Sequence, residues 1–260
     1  MQKISEWIPG KIKYVFCDID DTITTDGQIS AEAFKSLWDL SKAGIEVIPV
    51  TGRPAGWCEM IARMWPVSAV IGENGAFYFQ YKNSKMEREF FVPKEQITKQ
   101  VDQLNKIADR VLVEVPGSAY ASDQFCRMVD VAIDFCEDVA ALPEQDIQKI
   151  KTIFEREHCV AKISSIHVNA WFGDHDKLKM VKRFLETEKR CSLKVAQDVA
   201  CFIGDSPNDE PMFAAFSNSV AVANFGKFKS QATHLPNFIC SREAGHGFVE
   251  FSEHILGLSK

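Results

Sequence analysis

Phe16-Cys17-Asp18-Ile19-Asp20-Asp21-Thr22 is the stretch that decides the reading of this chain. The residues leading into it, Lys13 to Phe16, form the apolar, aromatic and β-branched run of a buried strand. Carboxylates at positions 18, 20 and 21 then crowd in at its end. Like charges this close repel, and burying them unpaired costs several kcal/mol each. A metal ion, or a doubly charged substrate arriving with its own cations, offsets that cost. An acidic cluster at the carboxyl end of a buried strand therefore reads as a site.

On either side of this stretch, strand and helix signals alternate. Ser30 caps an expected helix with Phe34, Leu37 and Trp38 along one face, and Gly44 ends it. Ile45 to Val50 is the next strand, Pro54 marks a helix start, and Ala69-Val70-Ile71-Gly72 is a third strand. After Phe172 the alternation resumes. Leu178, Val181, Phe184 and Leu185 stripe a helix, Val199 to Ile203 and Ser219 to Ala223 read as strands, and a helix over about 247–256 closes the chain. Buried strands alternating with helices predict an α/β fold with a parallel sheet covered on both faces.

The middle of the chain has a different character. Ile97, Val101, Leu104 and Ala108 predict an amphipathic helix, with a short strand, Val111 to Val115, after it. Val129, Val131, Ile133 and Phe135 alternate with Met128, Asp130, Ala132 and Asp134, the pattern of a half-buried strand. Ile147, Ile150 and Phe154 mark a second helix. A long strand from 163 follows, with Ile166, Val168 and Ala170 on one face and His167, Asn169 and Trp171 on the other. The order helix-strand-strand, repeated, predicts an inserted α+β domain with an antiparallel sheet. It occupies 84–170, between core segments 1–83 and 171–260.

Composition bounds the function. The chain has 260 residues, 46% hydrophobic and 25% charged, the make-up of an ordinary globular protein. A net charge of −6 with no basic run argues against nucleic acid as a partner. The eight cysteines show no CxxC pair or Cys/His ligand spacing, which disfavours structural zinc. Cys17 and Cys201 lie inside apolar runs, and a reducing, cytoplasmic setting is expected. No stretch is long enough to span a bilayer, so no membrane association is expected, and the oligomeric state is not legible.

Four constellations carry the chemistry, each at or just beyond a strand end or at a helix start. They are Asp18-x-Asp20-x-Thr22, Val50-Thr51-Gly52-Arg53, Lys177 at the close of Gly173-Asp174-His175-Asp176, and Gly204-Asp205-Ser206-Pro207-Asn208-Asp209. In the second, a hydroxyl, a glycine amide and a helix start can hold a phosphate oxygen.

Taken in this order, the four motifs resemble the haloacid dehalogenase-like superfamily of phosphohydrolases, over 13–83 and 171–260. The resemblance implies a Rossmann-like parallel core with a type-two cap. The αββαββ pattern of the insertion is similar to the caps of sucrose-phosphate and trehalose-phosphate phosphatases, Cof-type sugar phosphatases and phosphomannomutase. It further implies a Mg2+-dependent phosphatase acting on a small phosphorylated metabolite, a sugar phosphate above all, through an aspartyl-phosphate. Asp18 would be the nucleophile and Asp20 the general acid and base. Magnesium would be held by Asp18, the main-chain carbonyl of Asp20 and Asp205, a set of hard oxygen ligands. Asp209 would orient a metal-bound water or Lys177. Thr51 and Lys177 would hold phosphoryl oxygens, with Gly52, Arg53 and Asn208 as further substrate contacts.

Each residue also has a plainer reading. Thr51 can be a capping hydroxyl, Arg53 half of a surface ion pair, Asn208 a brace for its loop, and Asn74 a turn residue. Lys179 rivals Lys177, Asp174 and Asp176 read as caps or solvated groups, and His175 as a surface histidine. Asp21 stands where the family usually carries glycine. On the cap, His167, Asn169 and Trp171, with Asp130 and Asp134, either recognise sugar hydroxyls or form a solvent-exposed sheet face. A phosphomutase shares every core motif. A non-catalytic phosphate-binding module would have no need of an acid beside a nucleophile.

Overall fold

Buried strands that alternate with amphipathic helices can satisfy both faces of a parallel sheet. The computed structural model, which describes residues 1–164 and 166–257, has this arrangement. Ser165, inside the strand expected from 163, and residues 258–260, assigned to the core, lie outside the described residues. In chain order the first part supplies β1 (Gln2–Lys3), β2 (Tyr14–Cys17), α1 (Ala31–Lys42), β3 (Glu46–Pro49), α2 (Ala55–Met64), β4 (Val70–Gly72), β5 (Phe77–Lys82) and β6 (Lys85–Phe90). The middle supplies α3 (Lys94–Glu114), β7 (Ala119–Tyr120), β8 (Val131–Asp134), α4 (Glu144–Arg156), β9 (Val160–Ile163) and β10 (His167–Trp171). The last part supplies α5 (Lys177–Glu188), α6 (Leu193–Ala196), β11 (Ala200–Gly204), α7 (Glu210–Ala215), β12 (Ser219–Ala221), β13 (Phe238–Ile239) and α8 (Ala244–Ile255).

Six parallel strands in the order β1-β13-β12-β11-β2-β3 form the main sheet. The two-residue period of a strand sends its side chains alternately to the two faces. Val15 and Cys17 of β2, with Cys201 and Ile203 of β11, pack among Leu37, Leu40, Ile61, Phe248 and Phe251 from α1, α2 and α8. Phe16 and Phe202 point the other way, into Met180, Phe184 and Phe216 on the side of α5 and α7. Each such fully buried side chain contributes roughly 1.5–3 kcal/mol. Ser30 caps α1 as expected, its hydroxyl accepting the Ala33 amide, and Pro54 directly precedes α2. A bridge between Val50 and Ile71 attaches the antiparallel meander β4-β5-β6 to the β3 edge. The expected division between 83 and 84 falls at the tip of the β5–β6 hairpin.

The inserted segment folds as an antiparallel sheet in the order β7-β8-β10-β9. On one face α3 and α4 pack through Leu104, Ile107, Val111, Ile150 and Phe154 against Ile133, Val168 and Ala170. Two expectations are corrected here. Val111 to Val115 is not a strand, because α3 runs to Glu114. Leu104, Ile107, Ala108, Val111 and Val115 keep the helical spacing and are buried, whereas Val113 is 79% exposed. Tertiary burial of that stripe overrides the β preference of the valines. The single long strand from 163 is instead a hairpin of β9 and β10. Ser164 closes it, donating its N–H at 2.8 Å and its hydroxyl at 3.0 Å to the His167 carbonyl.

The second face of the cap sheet is neither exposed nor open along its length. His167 and Asn169 are buried, and Trp171 is fully enclosed, with its indole N–H donating to the His175 carbonyl. Trp171 is therefore unavailable to stack on a sugar ring. No helix among the described residues is long and apolar enough to cross a membrane.

Candidate active site

β11, β2 and β3 are adjacent and parallel, so the residues that follow them emerge side by side at one edge of the sheet. Asp18 follows β2, Thr51 lies just beyond β3, and Asp205 follows β11. The Asp18 amide donates to the Ile203 carbonyl at 2.9 Å, which carries the ladder one residue past the strand and fixes the aspartate. The chain then turns sharply, with the amides of Ile23 and Thr24 converging on the Ile19 carbonyl. Asp21 takes the left-handed conformation in this turn, at φ 53°. Aspartate tolerates that region better than most residues, which explains why it can stand in for glycine there.

The first three carboxylates of the site are Asp18, Asp205 and Asp209, buried and with oxygens within 4.8 Å of one another. Lys177, the first residue of α5, reaches in among them. Its Nζ donates to Asp18 Oδ1 at 2.7 Å and to Asp209 Oδ1 at 3.0 Å. Lys179 is engaged elsewhere, with Asp174, and Asp176 caps α5 by accepting the Lys179 amide. The other oxygen of Asp209 accepts the Asp205 amide at 3.2 Å. A Cβ on Gly204 would overlap that oxygen, so the glycine makes room for Asp209.

Three buried carboxylates against one ammonium leave the cluster short of positive charge. Burial pushes Asp18 up to about 7, opposed by Lys177 and reinforced by Asp209 and Asp20. Burial, with Asp18 and Asp209, raises Asp205 well above the carboxylate range. Burial works against the Lys177 ammonium, yet Asp18 and Asp209 outweigh it and hold the side chain protonated. A hard divalent cation coordinated by carboxylate oxygens suits such a donor set.

Asp20 is a separate group. Arg53 grips it in a fork, with Nε at 3.1 Å from both carboxylate oxygens and Nη2 at 2.8 Å from Oδ1. Arg53 is therefore not in a surface pair, since only 11% of its side chain is exposed. It also lies over the Trp57 ring and within 4 Å of the cap carboxylates Asp123 and Glu137. Thr51 is fully enclosed, its hydroxyl accepting the Arg53 amide at 3.0 Å.

A cavity of about 460 Å³ lies between these strand ends and the cap. Asp18, Asp20, Asp205, Lys177, Gly52, Arg53, Asn74 and Asn208 line it from the core. Arg127, Ser164, His167 and Asn169 line it from the cap. Asp130 and Asp134 do not offer free carboxylates to a ligand. Asp130 accepts from Arg127 at 2.9 Å and from Asn169 at 3.2 Å, and Asp134 accepts the amides of Cys136, Glu137 and Asp138.

Sequence reasoning missed three residues that shape this site. Asn224 donates at 3.4 Å to Asp205 and at 3.2 Å to the Asp21 carbonyl. It comes just beyond β12, and the strand-end rule that found the other groups would have found it. Glu73 is fully buried and accepts four amides, those of Ala55, Met128, Val129 and Asp130. Burial and Asp130 push it up to about 7, against the pull of Arg127 and the amides. Arg127 donates to the Gly52 carbonyl at 3.2 Å and so ties the cap to the turn after β3.

His175 is a buried residue rather than a surface one, stacked on Trp171 with ring centroids 5.4 Å apart. Neither ring nitrogen has a partner among the described residues. His167 Nε2 lies 2.9 Å from Glu137 in a geometry that makes no hydrogen bond. Burial lowers both histidines to about 4. Because the fold disfavours their protonation, the unfolded chain takes up protons first as pH falls from about 6.5 to 4. Each histidine alone lowers stability across that window by up to about 1.4 kcal/mol per pH unit, while the raised carboxyls of Asp18, Glu73 and Asp205 act in the opposite sense. Measured by urea unfolding, the stability of His175→Phe at pH 5 relative to pH 7 should be higher than that of the wild type, and an identical pH dependence in the two would contradict this account.

The sequence profile of the haloacid dehalogenase-like hydrolase family matches residues 15–169 and 139–248. The chain belongs to that family and is a hydrolase. No curated protein sequence matches it. Among solved structures, a Thermoplasma acidophilum protein is similar at 20% identity, with a TM-score of 0.73 over 95% of this chain and 99% of its own. A trehalose-6-phosphate phosphatase related protein is similar at 15% identity and a TM-score of 0.65, over 95% of this chain and 99% of its own. A subclass IIB sugar phosphatase of the superfamily is similar at 14% identity and a TM-score of 0.63, over 95% of this chain and 100% of its own. At these identities the likeness is one of fold.

Proposed function

We propose that this hydrolase is a magnesium-dependent phosphatase that cleaves the phosphomonoester of a small metabolite, a sugar phosphate above all. The observation that carries the reading is the pairing of two distinct carboxylates at one cavity. Asp18 is fixed at a strand end beside Lys177, and Asp20 is held apart from it by Arg53. Asp18 Oδ attacks phosphorus in line, forming an aspartyl-phosphate as the ester P–O bond breaks. Asp20 gives its proton to the departing alkoxide, then takes one from the water that attacks the aspartyl-phosphate and releases inorganic phosphate. Arg53 holds the Asp20 side chain in place at the cavity. Asp123 and Glu137 give the guanidinium other partners while Asp20 is protonated for the first step.

Asp18, Asp205 and the main-chain carbonyl of Asp20 would hold magnesium, with Asp209 fixing Lys177. When bound, the ion neutralises charge on the phosphoryl oxygens. Lys177, Gly52, Arg53 and Asn208 face the cavity, where they can bind the phosphoryl group. Thr51 shapes the turn that presents Gly52 and Arg53. His167, Asn169 and Ser164 supply polar groups on the cap side for sugar hydroxyls. A screen of sugar phosphates for phosphate release tests the reading. Turnover is expected with magnesium and none after chelation, and metal-independent turnover would contradict the coordination. Asp20→Asn is expected to lower kcat by about 10²–10⁴-fold in both half-reactions. A full-rate burst of alcohol release would count against its role as acid.

A further inference from the structure

A second cavity of about 480 Å³ adjoins the first, between β9 of the cap and the turn that follows β11. The two share Ile163, Pro207 and Asn208 as a common wall. Lys162 lines this side groove. In the cap sheet it is paired with Asn169, so the two side chains share the face turned away from α3 and α4. Every other lysine or arginine lining either cavity has a carboxylate within 4.0 Å. Lys177 has Asp18, Arg53 has Asp20, Arg127 has Asp130, Lys151 has Glu155 and Lys227 has Glu243. Lys162 is half-buried and has no such partner among the described residues. Burial and the neighbouring Lys177 disfavour its charge, while Asp176 and Asp209 offset this only in part. An ammonium partly withdrawn from water with no carboxylate within 4.0 Å among the described residues is an incomplete pair, and a bound anion completes it.

We propose that Lys162 recognises a second anionic group on the substrate, a carboxylate or a second phosphate, lying in the side groove while the scissile phosphate meets Asp18. This rests on the phosphomonoester reading and narrows its substrate class to esters that carry two anionic groups. The phosphate cavity and the groove meet at Asn208, so one small molecule can reach both.

The test compares kcat/KM for matched pairs, phosphoglycerate against glycerol phosphate for a carboxylate, and a hexose bisphosphate against the hexose monophosphate for a phosphate. p-Nitrophenyl phosphate reports the core chemistry alone. The wild type is expected to prefer the dianionic-plus-anionic member of at least one pair by about 10- to 100-fold, the worth of one charge-assisted hydrogen bond. The favoured pair identifies the group. Lys162→Met keeps the aliphatic stem and should erase that preference while leaving p-nitrophenyl phosphate turnover unchanged, and Lys162→Arg should keep it. Equal kcat/KM within both pairs, or an equal loss on every ester in Lys162→Met, would overturn the proposal. If p-nitrophenyl phosphate and all the esters resist hydrolysis, the phosphatase reading fails. Calorimetric binding of the same pairs to wild type and Lys162→Met then decides the role of Lys162, with equal affinities counting against it.

Discussion

Asp18→Asn is expected to lower phosphate release by on the order of 10³-fold or more while the protein stays folded. The amide keeps the shape of the carboxylate but is too poor a nucleophile to attack phosphorus. Two effects on stability oppose each other. The substitution removes one partner of Lys177, and breaking a buried pair is ordinarily destabilising. Lys177 keeps Asp209 at 3.0 Å, however, and the repulsion of Asp18 with Asp205 and Asp209 disappears. The second effect should win. Without added metal, the melting temperature of the variant is expected to equal or exceed that of the wild type. A variant that is both inactive and markedly less stable would show that Asp18 serves the fold rather than the chemistry.

Glu73→Ala is expected to have the largest effect on stability. The carboxylate accepts the Ala55 amide at the start of α2 and the consecutive amides of Met128, Val129 and Asp130, which lead into β8 of the cap. Removing it strands these buried donors, each worth about 1–3 kcal/mol when unsatisfied. Water entering the space left by the side chain recovers part of this, so a net loss of about 4 kcal/mol is expected. For a chain of this length that is a fall in melting temperature of roughly 10 °C. Glu73→Gln keeps one acceptor oxygen and should fall between the two. Since the same carboxylate seats the cap on the core, KM should rise for any substrate that touches both. A melting temperature within a degree or two of wild type would mean that the amides find other partners.

What was legible in the sequence follows from where the information lies. Asp18, Thr51 and Asp205 directly follow apolar runs, and in a parallel sheet the ends of adjacent strands meet whatever the details of packing. The alternation of Val15, Phe16 and Cys17, and of Cys201, Phe202 and Ile203, described two covered faces before any fold was visible. The choice of Lys177 over Lys179 came from the resemblance alone. The geometry adds a reason, because the capping bond from Asp176 sets the phase of α5 so that Lys177 meets Asp18 while Lys179 meets Asp174.

The rest depended on tertiary register. Glu73 lies in a turn whose neighbours in sequence give no hint of amides 55 to 57 residues away. Arg127 and Lys162 acquire meaning only once the cap is placed over the strand ends. The hairpin between β9 and β10 turns on a serine, without the Gly, Asn or Pro that ordinarily marks a turn. The valines at the end of α3 favoured a strand locally, and the helical burial stripe running on from Leu104 decided otherwise. Trp171 was assigned the correct sheet face, but not the indole bond to the His175 carbonyl that seals it from a ligand.

The central claim is that Asp18 becomes covalently phosphorylated. Its most direct test is a single turnover of a radiolabelled sugar phosphate with enzyme in excess, quenched in acid within milliseconds and digested. The account predicts a labelled peptide containing Asp18 whose label is released by hydroxylamine, as an acyl phosphate requires, and no such label in Asp18→Asn. Phosphate released with no labelled peptide at any time, or a label on another residue, would contradict it.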